Sequence, residues 1–157
     1  MQHRMKENPL GQTQIDALLA KAQVGVFATL NEGGAPYGIP VHYAHLNGKL
    51  YLHGLPQGQK IDNLMKDPRV CLTVYELGEY IIAKDGTPCD VNTAYESVIV
   101  LGNATMLENG PTKAEALLAI VKKYTPQLAA MEIPEKMIAG TGVIEITPTE
   151  ITGKYYG

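Results

Sequence analysis

The stretch Pro36-Tyr37-Gly38-Ile39-Pro40-Val41-His42-Tyr43-Ala44-His45-Leu46-Asn47-Gly48-Lys49-Leu50-Tyr51-Leu52-His53-Gly54 decides how this chain folds. Asn-Gly between two apolar runs is the strongest short hairpin signal, because a tight turn needs positive φ at both central positions. The pattern predicts a strand over residues 37–46, a turn at Asn47 and Gly48, and a returning strand over 49–53. Pro36 and Pro40 cannot donate to a ladder, so one side of the first strand has open backbone. That suits an edge strand, and equally a strand whose main chain addresses a flat polar heterocycle.

Outward from this hairpin the same reading continues. Residues 24–30 alternate Val24, Val26, Ala28 and Leu30 against Gly25, Phe27 and Thr29, and Asn31-Glu32-Gly33-Gly34 is a turn by composition. Strands are also predicted over 70–76, 95–107 and 143–151. Three segments carry helical marks. Ile15, Leu18, Leu19 and Ala22 form a stripe, with Thr13 and Asp16 as a capping-box-like start. Residues 60–66 place Ile61, Leu64 and Met65 on one side. Ala114, Leu117, Leu118 and Val121 form a third face, capped by Thr112 with Glu115. About six hairpin-connected strands with few helices predict a mainly β fold, a small antiparallel barrel whose closure removes exposed edges. The segment 78–94, rich in Gly, Pro, Asp and Asn, reads as a long loop and a candidate active-site cover.

Composition bounds the function. The chain has 157 residues, 45% hydrophobic and 18% charged, which is ordinary for one globular domain. A net charge of -3 provides no electrostatic footprint for nucleic acid. No segment approaches the roughly 20 apolar residues of a membrane span, and the first residues lack a signal-peptide apolar run. Cys71 and Cys89 are too few for a disulfide scaffold, so the expected compartment is the cytoplasm.

Metal and triad chemistry find no support in the motifs. His42 and His45 lie three apart on a strand, on opposite faces, and no zinc spacing, G-x-S-x-G or G-x-G-x-x-G is present. The segment His53-Gly54-Leu55-Pro56-Gln57-Gly58-Gln59-Lys60 is more informative. A strand ends at a histidine, a Gly/Pro loop follows, and a lysine stands in the first turn of a helix. Free backbone N–H groups there favour a phosphate, although a solvated turn has the same look.

Taken in order, these segments resemble the FMN-binding split-barrel superfamily of pyridoxamine 5′-phosphate oxidase, and within it the nitroimidazole reductase-like, nitroimidazole-resistance branch. The match is carried by residues 36–41, then 50–54 with Gly58-Gln59-Lys60. Asp67-Pro68-Arg69-Val70-Cys71, Tyr95-Glu96-Ser97-Val98-Ile99 with Gly102, and Thr152-Gly153-Lys154 extend it. The resemblance implies a six-stranded antiparallel split β-barrel with about three peripheral helices, FMN as cofactor, and a homodimer with the flavin between subunits. It implies that Ile39, Pro40, Val41 and His42 lie along the isoalloxazine, mainly through backbone. His53 and Gly54 would lie near the ribityl chain and ring edge. Gly58, Gln59 and Lys60 would hold the phosphate, and Ser97 would contact the flavin. His53 is the candidate proton donor or orienting group; Tyr37 and Tyr80 are weaker candidates for stacking on substrate.

Departures from the family pattern narrow the chemistry. Gln59 stands where oxidase relatives have an arginine, and Ile39 and Ala44 stand where they carry an arginine and a lysine. The C-terminal extension with further contacts is not seen. An anionic pyridoxamine phosphate would lose its cationic partners, so the expected activity is flavin-dependent reduction of a small acceptor such as a nitroaromatic. A flavin-binding redox or sensor protein, or a barrel holding haem or deazaflavin, is the alternative.

Overall fold

A computed structural model describes residues 6–84, 86, 88 and 90–157. The readings that rest on the first five residues and on Cys89 lie outside the described residues. In chain order the elements are α1 (Gln12–Lys21), β1 (Gly25–Leu30), β2 (Pro36–Val41), β3 (Tyr43–Leu46), β4 (Lys49–Gly54), α2 (Gln59–Lys66), β5 (Arg69–Ile82), β6 (Val91–Met106), α3 (Pro111–Tyr124), a 3-10 turn (Pro126–Leu128), α4 (Glu135–Gly140) and β7 (Gly142–Tyr156).

The strands form one antiparallel sheet in the order β2-β1-β5-β6-β7-β4-β3. Its two edges, β2 and β3, are separated in sequence by His42 alone. A sheet whose edge strands are joined by one residue must curl until those edges meet, and the result is a barrel. The registers show the stagger that closure requires. Val41 stands level, through Gly25 and Val74, with Val98 of β6. Tyr43 stands level, through Leu52 and Ile144, with Met106, far along the same strand. No ladder joins β2 to β3, so the barrel is split there.

Inward-facing side chains fill the barrel. Phe27, Leu50, Leu72, Val74, Val98 and Ile146 are fully buried, and α1 closes one end with Leu18 and Leu19. Each such side chain stabilises the fold by about 1.5–3 kcal/mol. The turn at Asn47 (φ 52°) and Gly48 (φ 74°) has the two positive φ values that the sequence predicts.

Several expectations are corrected. The sheet has seven strands rather than six, because the predicted strand 37–46 breaks at His42, where the chain crosses from one sheet edge to the other. The segment 78–94 is not a long loop: β5 continues to Ile82 and β6 begins at Val91, so a two-stranded ribbon projects from the barrel, irregular between Leu77 and Tyr80. Tyr80, Ile82 and Val91 are exposed on it. Helix α1 is capped at Gly11, whose N–H donates to Gln14 Oε1 (2.9 Å), not at Thr13, while Asp16 accepts from Gln12 Nε2. Met65 is 79% exposed and Asn63 takes the buried place beside Ile61 and Leu64. In α3 the cap is Gly110 with Pro111 following, and the face toward the barrel is Lys113, Ala116, Leu117 and Ile120, one register away from the predicted one.

Candidate functional site

The split is where strands stop pairing. β4 pairs with β7 as far as Gly54, but its ladder with β3 ends at Leu52. His53 and Gly54 therefore have an open side, and the unpaired edge of β2 provides the facing wall. Ile39 and Val41 turn their side chains to the core, and Pro40 points outward and exposed. What β2 can offer a ligand is its main-chain edge. His42 bridges the two walls, exposed, with its ring stacked on Tyr124 (centroids 4.4 Å, 23° between planes).

His53 is exposed by residue, yet its imidazole is partly desolvated against the sheet, and this together with the nearby charge of His42 lowers its pKa below 6.5. His53 is therefore mainly neutral at pH 7. A neutral imidazole has one N–H donor and one acceptor nitrogen.

The loop after β4 leads to the second part of the site. It packs so closely on the start of β7 that a Cβ on Gly142 would sit 2.8 Å from Pro56 Cα. Gly58 caps α2 at φ +119°, a conformation that L side chains rarely adopt, and a Cβ there would meet nothing within 4 Å. Gly58 O accepts the N–H groups of Ile61 (2.8 Å) and Asp62 (3.1 Å). The N–H groups of Gln59 and Lys60, at the first two helical positions, have no intrahelical acceptor. Lys60 lays its ammonium over the end of β4, with Nζ 3.6 Å from where a Cβ of Gly54 would be. Backbone donors at a helix N-terminus and an ammonium from its first turn make a cradle whose chemistry suits an anion.

Gln59, which stands in place of the family's arginine, does not project its side chain into this cradle. Its Nε2 donates to Asn63 Oδ1 (2.8 Å), and Asn63 Nδ2 donates in turn to Thr29 Oγ1 (2.8 Å) and Asn31 Oδ1 (2.9 Å). Asn63 is 1% exposed, so this chain of hydrogen bonds fixes α2 against β1.

The structure sets His42 near His53, and Lys60 over Gly54, at one slit; Ile39, Pro40 and Val41 lead into His42 along β2, and Gly58 and Gln59 open the helix that carries Lys60. Ser97 is elsewhere. It lies on the outer face of β6 between Tyr75 and Lys154, three strand spacings from β2, or roughly 14 Å. It is buried, and its Oγ has no hydrogen-bond partner among the described residues. The barrel's outer surface here is apolar, with Val26, Tyr75 and Leu101 exposed. Among the described residues no group of three His, Cys, Asp or Glu is arranged to hold a metal ion. No helix among the described residues is long and apolar enough to cross a membrane.

Sequence reading missed Asn63 and Tyr124. A polar residue on the apolar side of a short helix, four after Gln59, was the available signal for Asn63. Nothing local marks Tyr124, whose partners are 81 and 101 residues away.

A candidate 5-nitroimidazole antibiotic resistance protein from Bacteroides thetaiotaomicron superposes with a TM-score of 0.82 at 23% identity, covering 94% of this chain and 86% of that one. The flavocytochrome Anf3 from Azotobacter vinelandii gives 0.83 at 22% identity, covering 100% and 72%. A FAD-binding protein from Mesorhizobium loti gives 0.67 at 23%, covering 94% of both. At these identities the likeness is one of fold. An uncharacterized protein of Rhizobium meliloti (strain 1021) is 34% identical over 67 residues, a match spanning 43% of this chain and 36% of the relative's length. The family model described as pyridoxamine 5′-phosphate oxidase matches residues 11–155, and by that match, over nearly its whole length, the chain belongs to the pyridoxamine 5′-phosphate oxidase family.

Proposed function

We propose that this protein binds FMN along the split and works as a flavin-dependent oxidoreductase that reduces a small nitroaromatic acceptor. The observation that carries this reading is the cradle of Gly58, Gln59 and Lys60 beside the open end of β4 at Gly54. The cradle suits a phosphate, and the β2 edge suits the donors and acceptors around a flat polar ring. FMN presents both groups, and when bound it supplies hydride and electron transfer. The chain's own residues do the rest. Lys60 and two backbone N–H groups hold the phosphate, and the main chain at Ile39, Pro40 and Val41 orients the ring. His53, neutral at pH 7, donates or accepts a hydrogen bond at the ring edge.

Pyridoxamine phosphate is disfavoured as substrate. Ile39 packs on the core and Ala44 is buried, so neither position presents a cation to an anionic substrate. The likeness of fold to the Bacteroides protein supports a nitroaromatic acceptor instead.

The reading includes a homodimer. The apolar outer face and the unpartnered Ser97 Oγ suit burial against a second copy. On that face β7 carries Glu150 and Lys154, level with Leu101 and Ser97. A two-fold axis between these two levels sets each chain's Glu150 against Lys154 of its mate, the self-complementarity an isologous contact needs. Ser97 then reaches flavin bound by the other copy.

The test is turnover. Protein loaded with FMN and supplied with NADH or NADPH should reduce a nitroaromatic faster than free FMN does. Flavin that binds but passes no electrons to such acceptors would remove the reductase and leave a redox carrier or sensor.

A second reading rests on His42 and His53 sharing the slit, since paired imidazoles suit haem iron. Two of the similar structures are named a flavocytochrome and a FAD and heme binding protein from Mycobacterium smegmatis. Haem reconstitution giving a Soret band that His53→Ala abolishes would favour it.

A further inference from the structure

We infer that Tyr124 is a positioning residue for the site: it clasps the crossover between β2 and β3 and so sets His42 and the β2 edge. This rests on the reading of the split as the cofactor groove. No ladder joins β2 to β3, so backbone pairing cannot fix the residue between them. Tyr124, at the end of α3, supplies what is missing. The Tyr43 N–H donates to Tyr124 Oη (3.0 Å), and the tyrosine hydroxyl has Gln23 O (2.8 Å) and Tyr43 O (3.0 Å) as acceptors. A hydroxyl has one proton, so it serves one acceptor at a time while accepting from Tyr43. The same ring stacks on His42.

The preceding residue reinforces the clasp. Lys123 Nζ lies 3.7 Å from the centroid of the Tyr43 ring and donates to Leu19 O (2.9 Å) in the last turn of α1. Two successive side chains of α3 therefore tie α1, the start of β3 and the His42 ring to one point. A purely structural plug would need the apolar contacts of Ala116 and Ile120 alone. The hydroxyl's choice of the Tyr43 backbone and the ring's choice of His42 both act on the crossover.

The experiment compares wild type, Tyr124→Phe and the remote core variant Val98→Ala. Amide hydrogen exchange is followed without added flavin, and FMN affinity is measured by fluorescence quenching. Tyr124→Phe keeps the ring and loses the hydroxyl. It should speed exchange at the Tyr43 amide by about tenfold or more while leaving the Leu72 amide within about twofold. It should also weaken FMN binding by about fivefold, whereas Val98→Ala leaves affinity near wild type. Unchanged exchange at Tyr43, or equal acceleration at Tyr43 and Leu72, overturns the clasp. A selective loss at Tyr43 with unchanged FMN affinity overturns its role in the site. Wild-type protein that fails to bind FMN refutes the cofactor reading and that role together, and exchange alone then decides whether the clasp exists.

Discussion

Two sides of this barrel are built by different means. Along β1, β5, β6 and β7 every strand has a ladder on both flanks, and inward side chains such as Leu72, Val98 and Ile146 are fully buried. At the split, β2 and β3 each have one ladder, and α3 supplies the missing ties through Lys123 and Tyr124. The continuous wall is held by hydrophobic burial spread over many residues. The split is held by a handful of directed contacts, and the open backbone it preserves is what a ligand can use.

That contrast sets the order of expected effects. The largest belongs to the continuous wall: Leu72→Ala should cost about 2–5 kcal/mol of unfolding free energy by denaturant titration, with FMN affinity of the folded fraction unchanged. Loss of affinity in step with stability would mean that the two sides are not separable. Lys60→Ala should do the reverse, weakening FMN binding by about 1–3 kcal/mol for a lost charged contact and leaving the unfolding midpoint in place. An unchanged flavin dissociation constant would remove Lys60 from the site.

Smaller still is a pH effect confined to the split and its neighbours. Burial lowers the pKa of His45, against an opposing pull from Asp16, and lowers that of His53. A histidine whose folded pKa is depressed binds its proton more readily when unfolded. The associated stability is complete above the ordinary value of 6.5 and is lost as the pH falls from there through the folded pKa. Thermal unfolding should therefore move to lower temperature on acidification below 6.5, and His45→Gln should flatten that dependence. An equally steep slope in the variant would place the titrating group elsewhere.

The same contrast explains what was legible in the sequence. Residues 24–30 alternate because β1 has one face in the core, and Asn47-Gly48 marks its turn because few other residues accept positive φ there. The glycine start of α2 was legible for a similar reason, since Gly58 takes φ +119° there and Lys60 follows in the first turn. The break at His42 was not, because it follows from closure of the whole sheet rather than from local preference. The ribbon was read as a loop because Gly78 and the polar residues after it outweigh the strand formers Tyr80, Ile81 and Ile82. Asn63 and Tyr124 act through contacts distant in sequence, where periodicity carries no information. Ser97 was singled out by the family resemblance alone, and its distance from the slit depends on the sheet order.

The most direct test of the cofactor reading is an absorbance spectrum of freshly purified protein, followed by mass analysis of whatever small molecule denaturation releases. Flavin bands with a released mass equal to FMN are the predicted result. A colourless protein that also leaves the fluorescence of added FMN unquenched would contradict it.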